Sequence, residues 1–380
     1  MFPCLLVTQV ASSSKEDTTM ADPNISSLVL DFGSVYDELN FTYNDSEFFL
    51  DHETQPCSPF SPSDAVMVGV GIFYILVFLL AIPGNLVVGL VIGLSNKALP
   101  PSDLYLLHLA VADLLLAITL PFWAVSVTWG WVFGDAMCKI ITILQELSFY
   151  SSILFLTCIS MDRYMVIVRA MAARKANRQL VSWGVCGAVW AVGACLSMPG
   201  LFSTSLSSVK HSSRTACTEH YETDTADNWR LATRMLRHSL GFVIPLAIML
   251  PCYGVTIRRL LHVRGGFQRQ RAMRMIVVVV VAFLLCWMPY HIAVMADTFF
   301  RTKIVPYRCP ARMVVDQAMF ATQSLGLLHS CVNPLLYAFV GEKFRRRLLQ
   351  LMRKAGVLER ASVSRASRSS MSSEITSTVM

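Results

Sequence analysis

Seven stretches of mostly apolar residues, at about 66–94, 103–127, 137–168, 180–202, 235–260, 273–300 and 313–340, alternate with polar segments along the chain. A helix needs ~20 apolar residues to cross a bilayer core, and a membrane strand only about half that. The lengths therefore predict helices and exclude strands as the spanning elements. An all-α membrane protein follows, a bundle of seven transmembrane helices, and the odd count puts the two chain ends on opposite sides. Only the connection at 203–231 is long. No internal repeat is apparent, which counts against transporters built from repeated halves. After the last stretch, Phe344, Leu348, Leu351 and Met352 fall on one helical face, with Arg345, Arg346 and Arg347 largely opposite. That pattern predicts a short amphipathic eighth helix lying on membrane lipid. The chain divides into an N-terminal segment 1–65, a bundle 66–340, the amphipathic helix 341–353 and a tail 354–380.

Composition supports the membrane reading. Hydrophobic residues make up 54% of the 380 and charged residues 15%, where an ordinary soluble protein carries roughly 25% charged. Disorder, collagen and coiled coil are excluded as the main state. The net charge of +7 hides an asymmetry. Residues 1–65 hold Glu16, Asp17, Asp22, Asp31, Asp37, Glu38, Asp45, Glu47, Asp51, Glu53 and Asp64 against the single base Lys15. Bases elsewhere sit beside apolar spans, where an anionic leaflet explains them better than a nucleic acid does.

Two signals orient the chain. The glycosylation sequons at Asn24, Asn40 and Asn44 all precede the first span and need the lumenal side. Lys97, then Arg169, Arg174, Lys175 and Arg178, then Arg258 to Arg274, cluster where an outside N-terminus predicts cytoplasm. The expected location is the plasma membrane, multi-pass, with the N-terminus extracellular. The first residues, Met1 to Val7, lack a basic n-region, so the first span is expected to serve as the insertion signal.

Six cysteines fall within spans and read as small packing residues. Cys57, Cys138, Cys217 and Cys309 face the oxidising side, and three pairings are open to them. Widely separated thiols without paired short spacings argue against structural zinc.

Charges inside a bilayer are costly and mark function. Asp113 stands mid-span and reads either as a residue hydrogen-bonded between helices or as a cation or proton site with Asn85, Ser152 and Asn333. Asp162-Arg163-Tyr164 ends the third span. Cys286-Trp287-Met288-Pro289 lies in the sixth and Asn333-Pro334-Leu335-Leu336-Tyr337 in the seventh. Singly these are snorkelling charges and proline kinks.

Taken in order, with Gly84-Asn85, Trp190, Pro245 and Tyr253, they resemble the rhodopsin-like G-protein-coupled receptors over residues 66–353. More narrowly, Thr119-Leu120-Pro121-Phe122-Trp123, the residues from Asp162 to Ala170 and His329-Ser330-Cys331-Val332-Asn333-Pro334 resemble chemokine receptors. Asn228-Trp229-Arg230, Ala296-Asp297-Thr298 with Arg301-Thr302, and Tyr253-Gly254-Val255-Thr256 are similar to the interleukin-8 receptors of the CXC class.

The resemblance implies two disulfides, Cys138 with Cys217 and Cys57 with Cys309. It implies a CXC chemokine as ligand, met first by the acidic N-terminus, where Tyr36, Asp37, Glu38 and Tyr43 set tyrosines beside acids and suit sulfation. Trp123, Glu146, Arg230, Arg234, Asp297, Arg301 and Gln323 are then expected to line or rim the pocket for the ligand's N-terminus. Trp287 above Pro289 is the implied activation switch, with Asn333, Pro334 and Tyr337. Asp162, Arg163, Tyr164 and Tyr253 are the implied coupling residues for a heterotrimeric G protein of the Gi class, in leukocyte chemotaxis. No cofactor is implied beyond a sodium ion as modulator at Asp113, Ser152 and Asn333. Receptor kinases and arrestin are the implied partners of the tail, where residues 361–380 hold ten Ser/Thr. Two departures stand out: Gln145 replaces a lysine and Gln323 a glutamate of the interleukin-8 receptors, an ion pair exchanged for two amides that cost less to bury.

No phosphate loop, zincin motif or nucleophile elbow is present, so no enzyme is expected. The rival reading is a scavenging receptor that internalises chemokine without G-protein signalling, and the intact Asp162-Arg163-Tyr164 weighs against it.

Overall fold

A computed structural model describes residues 60–94, 99–169, 175–207, 214–221, 225–262, 267–302, 304–305, 308–340 and 342–354. Tyr36, Asp37, Glu38, Tyr43, the three sequons, Cys57 and the Ser/Thr-rich tail lie outside them. The helices are α1 (Asp64–Gly93), α2 (Pro101–Trp129), α3 (Gly134–Ile167) and α4 (Lys175–Ser197), then α5 (Ala226–His238), α6 (Ile244–His262), α7 (Phe267–Arg301), α8 (Cys309–Leu327), α9 (His329–Val340) and α10 (Glu342–Lys354).

Six spans among the described residues are long and apolar enough to cross a membrane. The fifth of these joins α5 to α6 through a π turn, Ser239–Val243. The seventh span of the bundle is α8 followed by α9. It falls short on apolarity because α8 carries Arg312, Asp316, Gln323 and Ser324 on its inner face, and because the chain tightens at Leu328. There the Leu328 and Cys331 amides reach back only three residues, at 3.1 Å each.

α3 is the most buried span. Its small polar residues allow this, since Ser148 donates to the Ala112 carbonyl of α2 at 2.8 Å and Thr157 and Ser160 donate to their own helix. Its Phe149, Tyr150 and Phe155 share the core with Phe283 and Trp287 of α7. Two glycines make that packing possible. A Cβ on Gly241 would stand 2.6 Å from Phe149, and one on Gly326 would stand 3.0 Å from the Trp287 ring. The Phe149 and Trp287 rings are thereby held with their centres 4.7 Å apart between the fifth and seventh spans.

Proline sets the other close contact. Pro334 has no N–H, so the Ser330 carbonyl one turn earlier loses its helical donor. Asn85 of α1 supplies one, its Nδ2 lying 2.8 Å from that oxygen and 3.0 Å from the Ala81 carbonyl.

The long connection contains a hairpin that the apolar pattern does not announce, β1 (Ser203–Ser207) antiparallel to β2 (Thr215–Glu219), with Ser205 opposite Cys217. A disulfide joins Cys217 to Cys138 on α3. Asp135 accepts from the Ser205 amide at 2.7 Å, Lys139 donates to the Ser203 carbonyl at 2.7 Å, and the Trp131 amide donates to Thr215 at 2.7 Å. The hairpin is thus fixed across one end of the bundle. Cys309, at the start of α8, is also disulfide-bonded.

At the far end α10 follows the predicted interfacial helix. Phe344 packs on the core, Arg345 and Arg346 are exposed, and Arg347 reaches Asp103 at 3.4 Å.

Replacing Asn85 by Ala leaves the Ser330 carbonyl without a donor in a dry interior. The expected loss of stability is ~1–3 kcal/mol, read from thermal unfolding in nanodiscs. A melting temperature equal to that of the parent protein would show that the carbonyl is answered some other way.

Candidate functional site

Beneath the hairpin, two groups of charges converge from different helices. In the first, Arg237 of α5 holds Glu146 of α3 through its Nη2 and Nε atoms, at 2.8 and 3.3 Å, and lies 3.8 Å from Glu219 of β2. In the second, Asp297 of α7 is fully buried and accepts from Arg234 of α5. It also accepts from Arg301 at 2.8 Å and lies 3.9 Å from Arg312 of α8, which pairs with Asp316 at 3.3 Å. One base against two acids leaves the first group negative. Three bases against two acids leave the second positive. Buried charges are tolerated only when paired in this way. Arg230 sits nearer the mouth, 3.7 Å from Asp227.

Aromatic rings close the sides. Trp123 is fully buried 5.6 Å from Trp131, and Tyr221 stacks parallel to Trp229. Burial and the neighbouring Glu219 push the Tyr221 phenol above its usual range. Gln145 and Gln323 are both buried. Neither amide atom of Gln145 has a hydrogen-bond partner among the described residues, nor does Gln323 Nε2. Below them, His238 and His291 meet with their Nδ1 atoms 2.9 Å apart.

Deeper still, Trp287 lies in contact with Phe149, Tyr290 and His329. Asp113 accepts from Asn333 Nδ2 at 2.7 Å and from Ser152 at 3.4 Å, with His329 Nε2 at 3.6 Å from it. Asn85 Oδ1 is a buried oxygen with no partner among the described residues. The Asp113 carboxylate and the Ser152 hydroxyl are oxygen donors of the kind that hard cations take.

At the far end, Asp162 accepts from Ser102 of α2, and Ser160 donates to the Tyr253 hydroxyl at 2.7 Å. Arg163 is within electrostatic reach of Tyr253. Tyr337 belongs to α9.

The chain matches the model of the 7 transmembrane receptor (rhodopsin family) over residues 84–337. It is 44% identical over 343 residues to "C-X-C chemokine receptor type 2" of Homo sapiens, covering 90% of this chain and 93% of that one. It is 45% identical over 319 residues to the Macaca mulatta protein of the same name, covering 84% and 89%. It is 42% identical over 330 residues to "C-X-C chemokine receptor type 1" of Homo sapiens, covering 87% and 92%. The chain belongs to the rhodopsin-family C-X-C chemokine receptors. It is a receptor and not an enzyme.

In this chemokine receptor the geometry groups the sequence-expected residues in a definite way. Arg234, Asp297 and Arg301 form one cluster, while Glu146 belongs to another. Asp113, Ser152 and Asn333 come together as expected, and His329 joins them. The principal residue that sequence reasoning missed is Arg237. A signal was present, because Arg230, Arg234 and Arg237 repeat at i, i+4 and i+7 and so share one face of α5. Arg312 and Asp316 show the same four-residue spacing. No spacing rule connects His238 with His291, which lie on different helices.

Removing the Arg237 guanidinium while keeping its volume, by Arg237→Met, strands Glu146 and Glu219. The cost expected for an orphaned buried charge is ~3–5 kcal/mol, seen as a lower melting temperature and weaker surface expression. Adding Glu146→Gln to the same chain should recover most of the loss. If it recovers none, the pair contributes little and Arg237 acts through packing.

Proposed function

We propose that the chain is a plasma-membrane receptor for CXC chemokines of the interleukin-8 type, signalling through a heterotrimeric G protein of the Gi class in leukocyte chemotaxis. The observation that carries this is the extent of likeness to "C-X-C chemokine receptor type 2", 44% over 90% of this chain, combined with a charged pocket under the hairpin. The N-terminus is taken as extracellular, because its sequons and acids belong with the hairpin end and the loop bases with the other.

The acidic N-terminal segment draws a basic chemokine in, raising encounter rate more than final affinity. The ligand's N-terminus then enters beneath the hairpin. Its charged groups compete for Asp297, Arg234, Arg301 and Arg230, and every ion pair it forms there displaces one within the receptor. Ligand that binds better when the helices have shifted moves the population toward that arrangement. Trp287, pinned between Phe149 and Gly326, is the internal element that such a shift has to displace. Opening at the far end frees Arg163, Tyr253 and Tyr337 to receive a G-protein helix in a groove. Phosphorylation of the tail adds about −1.5 to −2 charges per site and recruits arrestin. Asp113, Ser152 and Asn333 would hold a sodium ion, whose charge would favour the resting bundle.

G-protein activation in cells expressing the chain, challenged with a panel of CXC chemokines including interleukin-8, tests the reading. Arg163→Ala should abolish the response and leave chemokine binding intact. Uptake of ligand without any response in the parent protein would identify a scavenger. A surface-expressed protein silent to every ligand would refute the interleukin-8 assignment.

The sodium reading predicts that chemokine affinity of the parent falls as sodium replaces potassium at constant ionic strength. Asp113→Asn should remove that dependence. Equal sodium sensitivity in both proteins would place the ion elsewhere.

A further inference from the structure

Gln145 of α3 and Gln323 of α8 are 2% and 4% exposed. Both amide atoms of Gln145 and the Nε2 atom of Gln323 are buried without a hydrogen-bond partner among the described residues. Their places along the helices set their depth. Gln145 lies one turn below Thr142, whose hydroxyl is 3.8 Å from Cys217 Sγ, and one turn above Phe149. Gln323 lies one turn above Gly326, where the missing Cβ admits the Trp287 ring. Residues three and four apart share a helix face. Both glutamines therefore stand one turn above the Phe149–Trp287 contact, one on the third span and one on the seventh, beneath the hairpin disulfide. Three unanswered polar atoms in a dry place are costly to the ligand-free protein.

We propose that Gln145 and Gln323 form a subsite for an uncharged cis amide at the leading end of the ligand, the lactam ring of a pyroglutamyl N-terminus. This specificity rests on the chemokine-receptor reading above. A glutamine side chain offers a carbonyl acceptor and an N–H donor on one edge. A trans peptide bond points its own N–H and C=O in opposite directions and can answer only one of them. A lactam carries both on the same edge, so its N–H donates to Gln145 Oε1 while its C=O accepts from Gln145 Nε2. The second lone pair of that C=O remains for Gln323 Nε2. One ligand group thus satisfies all three atoms.

The charges nearby favour a neutral group over an ammonium. Glu146, next to Gln145 in the chain, is already held by two nitrogens of Arg237, at 2.8 and 3.3 Å. Asp297 is held by Arg234 and Arg301. A free α-ammonium at the depth of the glutamines loses its hydration and gains only amide oxygens, a poor exchange for a charge. The lactam has no charge to strip. The route to this depth starts in solvent. The Arg230 and Arg301 side chains at the mouth are 21% and 26% exposed, and Glu219, 3.8 Å from Arg237, is 13% exposed. Solvent thus comes within one ion pair of the residue beside Gln145.

The test uses the full-length receptor in nanodiscs and CXC chemokines given glutamine as their first residue, each in three forms: free, cyclised to pyroglutamyl, and N-acetylated. The acetylated form is neutral but its amide is trans, which separates loss of charge from lactam geometry. The pyroglutamyl form is expected to bind ~tenfold more tightly than either of the others, the equivalent of one hydrogen bond. Gln145→Met should erase that preference. Gln323→Glu, which adds a carboxylate, should turn it toward the free ammonium. Without ligand, Gln145→Met should melt higher than the parent, because the unanswered amide atoms are gone. Equal binding of the three forms to the parent overturns the proposal, and so does a preference that persists in Gln145→Met. A panel that binds in no form refutes the chemokine reading instead, and the ligand-free melting temperature then decides. A Gln145→Met chain that melts no higher than the parent shows that the amide is already answered within the protein, and overturns the subsite.

Discussion

No water reaches the backbone of a helix in the middle of a bilayer, so every carbonyl deprived of its donor has to be answered by a side chain from somewhere else. Pro334 creates such a carbonyl at Ser330, and Asn85 answers it across two helices. That one requirement fixes the approach of the first and seventh spans. Close by, Asn333 is turned to Asp113, which in turn receives Ser152 of the third span. Four helices are therefore registered against one another by a short polar chain that began with a missing N–H.

The same logic governs charge at the hairpin end. An acid or base without a partner there would be intolerable, so the side chains come as interlocked groups. Arg237 serves two glutamates and Asp297 serves three arginines. Neither group is internally balanced. The two groups carry opposite residual charge, one acidic and one basic. The disulfide, the hydrogen bonds that Asp135 accepts and those that Lys139 donates tie the hairpin to α3.

The seven spans and the amphipathic helix were legible because lipid imposes a length and an apolarity that read directly from the chain. The order of Asp113, Asp162-Arg163-Tyr164, Trp287 and Asn333-Pro334 was enough to place the family. The hairpin was not legible. Its ten residues are short, polar and held by contacts to α3 rather than by any alternation of their own. Arg237 was legible in principle from its helical spacing, but an arginine in an apolar stretch reads first as a boundary residue. The His238–His291 contact joins two separate helices, and the π turn that follows His238 shifts the phase of the fifth span. Such a shift leaves no mark in a periodicity.

The polarity of the seventh span also bears on how the protein is made. Arg and Asp each oppose insertion of a lone helix by ~2.5–3.5 kcal/mol near its centre, and α8 carries Arg312 and Asp316 toward one end with two amides and a serine further in. Such a segment partitions poorly by itself. It enters the membrane cooperatively, when Tyr74 and Asp297 on earlier spans are already in place to receive it. Damage to those residues then surfaces during biosynthesis, as retention of an unassembled chain by quality control. A receptor that reached the surface with merely altered affinity would be the rarer outcome.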